Sequence, residues 1–228
     1  NTYNAHSIQV LKGLEHVRKR PSMYIGSTSS DGLHHLVFEI VDNSIDEALA
    51  GYCTTITVRI GSGSVVTVED DGRGIPVDIH PTEKVSALEV VMTKLNAGGK
   101  FDKHTYKVSG GLHGVGGSVV NALSEWMEVS VHQDGKIHTQ RYARGVPEAP
   151  VRVTGETDRH GTTVRFKPDR QIFEDIEFSF DLLSNRLREL AFLNKGLQIA
   201  IADDRASPPK SHLFQFAAGV RSFIEYLN

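Results

Sequence analysis

Asp134-Gly135 lies between two runs in which apolar and polar residues alternate, Trp126–His132 and Lys136–Arg144. A two-residue turn that joins twisted strands needs positive φ at both positions. Gly adopts it freely and Asp tolerates it, so the pair marks an antiparallel hairpin. Thr54–Ile60 and Ser64–Glu69 alternate in the same way around Gly61-Ser62-Gly63 and read as a second hairpin. Val151–Val153, Thr162–Lys167 and Leu197–Ala202 add strands. Helical periodicity comes in separate blocks. Ser7–Lys19 carries Ile8, Leu11, Leu14 and Val17 on one side and stops at Pro21. A longer block is capped by Asp31 and runs to Ala50; Val85–Leu95, Ser118–Leu123, Phe180–Leu193 and Phe214–Leu227 follow, with Asp203–Ser211 a polar loop. Hairpins with separate helices predict an α+β fold: a two-layer sandwich with a mixed, mostly antiparallel sheet and helices on one face, rather than a doubly wound one.

The 228 residues allow one large domain or one and a half, at ~100–200 residues per domain. Residues 1–6 are polar and unpatterned and read as an arm, residues 7–216 as the domain, and residues 217–228 as a terminal helix leading to a second domain. Hydrophobic residues make up 39% and charged residues 23%, as in ordinary globular proteins. No apolar stretch approaches the ~20 residues of a membrane span, and no secretory signal opens the chain. The first residue is Asn1 rather than Met, which points to a trimmed chain. The single cysteine, Cys53, excludes an internal disulfide and a cysteine zinc cluster, fits a reducing cytoplasm, and reads as a small buried apolar residue. Net charge is -3, from 25 Lys+Arg against 28 Asp+Glu. The one dense basic run, Arg18-Lys19-Arg20, is too short for a groove-binding surface, so any DNA is held by other domains.

Four motifs can carry chemistry. On the helix of residues 31–50, the face opposite the apolar stripe (which includes Ser44) collects His35, Glu39, Asp42, Asn43 and Asp46. His35, Glu39 and Asn43 follow one another at spacings of four. A carboxylate beside an imidazole can hold and activate a water as general base, and an amide oxygen suits Mg²⁺. Taken alone, the pattern favours a plainer reading, the solvated side of an amphipathic helix. Glu69-Asp70-Asp71-Gly72-Arg73-Gly74-Ile75-Pro76 ends a strand in carboxylates and then turns. A surface turn explains it. So does a ligand site, in which Asp70 accepts from an exocyclic amine, the glycines admit a flat ring, and Arg73 pairs with Glu47 or stacks on the ligand.

The third motif is the glycine-rich stretch 97–117, which holds Gly99-Lys100 and Ser109–Gly117 ahead of a helix. Backbone N–H groups in such a turn make an anion cradle, and Lys100 adds a point charge; a flexible loop is the alternative at even weight. It is neither a Walker A loop nor a dinucleotide fingerprint, because the Lys-Ser/Thr ending and the βαβ frame are both missing. The fourth, Gly161–Phe166, is by itself a β-propensity run. Thr162 at its head offers a hydroxyl toward a water near Asp70.

The ordered set matches the four nucleotide-binding boxes of the GHKL ATPases, which take in gyrase, Hsp90, sensor histidine kinases and MutL. Within that group the chain resembles the B-subunit kind of type II topoisomerase. The strings are Arg-Lys-Arg-Pro-Ser-Met-Tyr-Ile-Gly from Arg18, Leu-His-His-Leu-Val-Phe-Glu-Ile-Val-Asp-Asn-Ser-Ile-Asp-Glu-Ala from Leu33, and Tyr-Lys-Val-Ser-Gly-Gly-Leu-His-Gly-Val-Gly from Tyr106. The last resembles gyrase more than the paralogous ATPase of topoisomerase IV. The resemblance covers essentially the whole chain. It implies Glu39 as general base oriented by His35, and Asn43 on Mg²⁺. It implies Asp70 on the adenine amine with help from Thr162, and a pocket lined by Glu47, Arg73, Gly74, Ile75 and Pro76. Gly99, Lys100, Leu112, His113, Gly114, Val115 and Gly116 would close on the ATP phosphates, Tyr106 would lie against adenine, and Tyr3 would reach a partner's nucleotide site.

ATP would close a homodimer gate on DNA, with the gyrase A protein as partner and no membrane involved. Aminocoumarin inhibitors would enter the pocket, weakened because Gln133 stands where many relatives carry arginine. A γ-phosphate lysine from the second domain is expected to be missing, giving feeble turnover and monomeric behaviour. An Hsp90-like chaperone would lack the first and third strings. A histidine kinase would lack the water-activating Glu. A non-catalytic nucleotide-binding module would not need Glu39.

Overall fold

The computed structural model describes residues 13–95 and 116–217. Nine strands form one mixed sheet: β1 (Thr55–Ile60), β2 (Val66–Asp70), β3 (Ser124–Gln133), β4 (Lys136–Ala143), β5 (Val146–Pro147), β6 (Arg152–Glu156), β7 (Gly161–Pro168), β8 (Gln198–Asp203) and β9 (Lys210–Phe214). Their order is β5-β4-β3-β7-β2-β1-β8-β9, with β6 also on β4. Every pairing is antiparallel except β1 with β8. The helices are α1 (Glu15–Lys19), α2 (Ser22–Ile25), α3 (Ser30–Leu49), α4 (Ala87–Thr93), α5 (Gly117–Ala122) and α6 (Phe180–Leu193).

Alternation along the strands decides the layering. Ile56, Val58, Val68, Met127, Val129, Val131, Val164 and Phe166 are buried and share one core with Leu33, Leu36, Ile40, Ile45, Leu183 and Leu187 of α3 and α6. Their neighbours Thr57, Thr67, Glu69, Glu128, Ser130, Thr163 and Arg165 are half-buried or exposed. Helices therefore cover one face, as the hairpin argument requires. Asp134 and Gly135 both have positive φ (54° and 80°) and pair Gln133 with Lys136, the turn their chemistry dictates.

Four local expectations are corrected. Of the first helix expected from Ser7, residues 7–12 lie outside the described residues; Gly13 has φ +60°, which breaks the helical run there, and the described helix starts at Glu15. Asp31 is not the cap of α3: Ser29 holds that place in extended conformation, and Asp31 sits inside the first turn. Lys210–Phe214 is an edge strand on β8, so the polar loop ends early and no helix begins at Phe214. Phe216 instead stacks on Phe192 at 3.6 Å between centroids. Val146–Pro147 and Ser22–Ile25 form short elements that no periodicity announces. Residues 218–228 of the expected last helix lie outside the described residues.

Cys53 is buried, with its thiol pushed up to about 12 by that burial and by Asp70 and Asp71 nearby, an inert packing residue. Arg18 donates to the Ala122 carbonyl at the end of α5 (2.7 Å) and pairs with Asp169 (2.9 Å), which also takes Arg144 (2.9 Å). Burial opposes ionisation of Asp169, but the Gln171 N–H and the two guanidinium groups outweigh it, so its carboxyl lies below the ordinary 3.8. Asp169→Asn should therefore cost about 2 kcal/mol at neutral pH, less than a fully buried pair because Arg144 reaches water. A group with a depressed native pKa stabilises above its unfolded pKa and loses that stability as pH falls through the native one. The gap between wild type and variant in urea unfolding should thus be full above pH ~4 and close below it.

Candidate active site

Helix α3 runs beside both ends of the site. Its aliphatic stripe faces the sheet, but the opposite face is not solvated: His35, Glu39, Asp42 and Asp46 are 4%, 1%, 3% and 2% exposed. This overturns the plain reading of a wet helix face. Charged groups are rarely buried like this unless other groups bind them. Nε2 of His35 lies 3.2 Å from Oε2 of Glu39, one turn apart. The other oxygen of Glu39 faces the Gly116 N–H at 3.4 Å. Gly117 opens α5 next to Asn43; a Cβ on Gly117 would lie 3.7 Å from the Asn43 amide nitrogen and 3.0 Å from the Met92 sulfur. Glycine leaves that space open without displacing the Met92 side chain. His34 faces away, its Nδ1 donating to the Ser30 carbonyl (2.7 Å) while Nε2 accepts from Ser179 N–H (2.8 Å), which ties α3 to the capped start of α6.

Further along α3 the second half of the site begins. Ser44, placed in the apolar stripe by periodicity, donates its hydroxyl to Oδ2 of Asp70 at 2.6 Å. Oδ1 of Asp70 accepts from Gly72 N–H (2.9 Å) and Thr162 N–H (3.3 Å). Burial raises the Asp70 carboxyl above its ordinary value; these three donors offset it in part and the charge of Glu47 adds to it. A carboxylate has about four acceptor positions, so three donors leave one. Asp71 points elsewhere, accepting from both amides and the hydroxyl of Thr54–Thr55 at the start of β1.

Arg73 forms a two-pronged pair with Glu47 (2.7 and 3.2 Å), donates its own N–H to the same carboxylate (2.9 Å), and stacks over Tyr52 at 4.0 Å. Pairing and stacking were alternatives in the sequence; the arginine does both, though the ring beneath it belongs to the protein. Ile75 N–H donates to the Thr162 hydroxyl at 3.2 Å, so Thr162 reaches the turn directly. Gly74 has φ +87° and Pro76 closes the turn. The Gln133 amide donates to the Arg73 carbonyl at 3.4 Å.

The structure thus brings together His35, Glu39, Asn43, Glu47, Asp70, Arg73, Gly74, Ile75, Gly116 and Thr162. Tyr3, Gly99, Lys100, Tyr106, Leu112, His113, Gly114 and Val115 lie outside the described residues. Sequence reasoning missed Ser44 and His160, whose Nδ1 meets the Gly72 carbonyl. A serine inside an otherwise aliphatic stripe was the available signal, since a buried hydroxyl seeks a partner. His160 left none.

A buried carboxylate at one end of a helix, placed to activate a water beside the glycines that open α5, and a carboxylate with a remaining acceptor position at the other end suit a hydrolysable ligand that carries a flat heterocycle. Comparison with known proteins agrees. Residues 28–172, more than half of the chain, match the family described as histidine kinase-, DNA gyrase B-, and HSP90-like ATPase. The chain is 64% identical over 226 residues to the DNA gyrase B protein of Thermotoga maritima, covering 99% of this chain and 35% of that protein. It is 60% identical over 227 residues to the gyrase B protein of Treponema pallidum (99% and 36%) and 57% over 230 residues to that of Archaeoglobus fulgidus (99% and 36%). It spans about a third of the length of these relatives. On the match over residues 28–172, the chain belongs to the histidine kinase-, DNA gyrase B- and HSP90-like ATPase family.

Proposed function

We propose that this chain is the ATP-binding and ATP-hydrolysing segment of a DNA gyrase B protein, in which ATP closes a dimer gate around DNA. The observation that supports it most is the placement of one helix: α3 sets Glu39 and Asn43 beside Gly116 and Gly117, and Ser44 and Glu47 against Asp70 and Arg73. Asp70 takes the adenine amine in its remaining acceptor position. Ile75 and Pro76 flank the ring, and Thr162 holds the turn in place.

At the phosphate end Glu39 holds a water and removes its proton as the oxygen attacks the γ-phosphorus, the bond to the β,γ-bridging oxygen breaks and ADP leaves with phosphate as the other product. His35 fixes the orientation of the carboxylate through the contact of its Nε2 with Oε2. Mg²⁺ is implied by this family; the Asn43 side chain, whose amide lies beside Gly117, would hold it through the amide oxygen, and the ion would neutralise phosphate charge. Gly116 N–H holds the second oxygen of Glu39 at the same place. The gyrase A protein, DNA on other domains and an ATP-dependent homodimer complete the reading, which sets the work in the cytoplasm. Among the described residues no helix is long and apolar enough to cross a membrane. Arg73 and Gln133 form the outer lip of the pocket and are where an aminocoumarin would rest. The chain is taken as one ATPase domain from residue 7 to 216, preceded by an arm.

A chimera tests this: the matching region of the Thermotoga maritima gyrase B protein replaced by this chain, assembled with the gyrase A protein of the same organism. ATP-dependent supercoiling of relaxed plasmid is expected, and Asp70→Ala in the chimera should abolish it. A chimera that binds ATP but does not supercoil contradicts the gyrase reading.

A further inference from the structure

The turn that carries Asp70 is gripped by a residue outside the four motifs. Nδ1 of His160 lies 2.7 Å from the Gly72 carbonyl oxygen. The carbonyl can only accept, so Nδ1 carries the hydrogen. The N–H of the same peptide unit, that of Arg73, donates to Glu47 at 2.9 Å. The peptide between Gly72 and Arg73 is therefore held at both ends, from α3 through Glu47 and from the segment entering β7 through His160. Gly72's own N–H sits on Oδ1 of Asp70. One residue thus connects the imidazole to the carboxylate. There is little slack: Gly72 is buried, and a Cβ on it would come within 2.9 Å of Glu47 and 3.1 Å of Asp70. His160 is exposed, on the wall of a cavity of about 300 Å³ that it shares with Asp70, Asp71, Glu69, Arg159 and Thr163, so removing its ring opens no core.

We propose that His160 is a positioning residue that sets the preference for adenine over other purines. It fixes the Gly72 peptide, and with it the Asp70 carboxylate, in the orientation that receives an exocyclic amine. This rests on the reading of Asp70 as the adenine acceptor. A site discriminates by hydrogen bonding only while its acceptor is held on the donor; a looser Asp70 gains less from adenine and refuses its analogues less. Asparagine at position 160 can present an amide N–H where Nδ1 stands, whereas alanine presents nothing.

Calorimetric titration with a non-hydrolysable ATP analogue and its inosine counterpart, each with Mg²⁺, tests this in wild type, His160→Ala, His160→Asn and Asp70→Ala. His160→Ala should cut the adenine-to-inosine affinity ratio about 5-fold, most of it from weaker adenine binding, as loss of one orienting hydrogen bond implies. His160→Asn should restore most of the ratio. An unchanged ratio in His160→Ala, or equal weakening of both nucleotides, overturns the proposal while a collapsed ratio in Asp70→Ala keeps the adenine reading. An unchanged ratio in Asp70→Ala overturns both.

Discussion

Glu39→Gln should leave nucleotide binding intact and slow hydrolysis by roughly 10²–10⁴-fold, the contribution of a positioned general base. Glutamine matches glutamate in shape and fills the same buried space, so the substitution opens no cavity at a residue 1% exposed. It cannot accept a proton, and it weakens the charge-assisted link to His35. Removing a buried charge also leaves the fold as stable or more so, since burial of a carboxylate is costly. The expected pattern is a lower single-turnover rate with unchanged affinity for a non-hydrolysable analogue. A rate equal to wild type would show that another group activates the water, as in a module that binds ATP without using Glu39.

The second large effect is Gly161→Ala. Gly161 has φ +141°, and a Cβ on it would lie 2.0 Å from the backbone oxygen of Asp70 and 2.9 Å from its carbonyl carbon. No side-chain rearrangement relieves a clash between two backbones. Strand β7 must move away from the end of β2, which breaks the Thr162 contacts to Asp70 and Ile75. The expected loss is at least about 3 kcal/mol in unfolding free energy, with nucleotide affinity falling too. Gly135→Ala separates backbone strain from close approach: Gly135 also has positive φ (80°), but its Cβ would meet nothing within 4 Å. That variant should lose only about 1–2 kcal/mol. Equal losses in the two variants contradict the close-packing account.

Both variants sit where the sequence was legible to different depths. The Asp134-Gly135 hairpin, the strand alternation and the long helix were readable because period and turn chemistry are local. The β9 strand was not: Lys210–Leu213 is exposed on a sheet edge, so no apolar alternation marks it, and only its pairing with β8 makes it a strand. Gly13 takes positive φ inside a stretch whose apolar spacing reads as helical, because backbone handedness there outweighed side-chain pattern.

At the site, Glu39, Asn43, Asp70 and Thr162 could be named from ordered motifs, yet their burial could not. Periodicity assigned the polar face of α3 to solvent, whereas α5 and the Asp70 turn lie against that helix. Ser44 interrupts the aliphatic stripe, but its partner, like that of His160, is reached through a hydrogen bond to an element distant in sequence. Such bonds have no periodic signature.

Asp70 is the residue on which the account turns. Titrating a non-hydrolysable ATP analogue with Mg²⁺ into wild type and Asp70→Ala, followed by calorimetry, asks directly whether adenine sits there. Loss of a hydrogen bond to a charged acceptor predicts affinity about 10- to 100-fold weaker in the variant, with the fold retained. Equal affinity in the two proteins would place the nucleotide elsewhere and contradict the account at its centre.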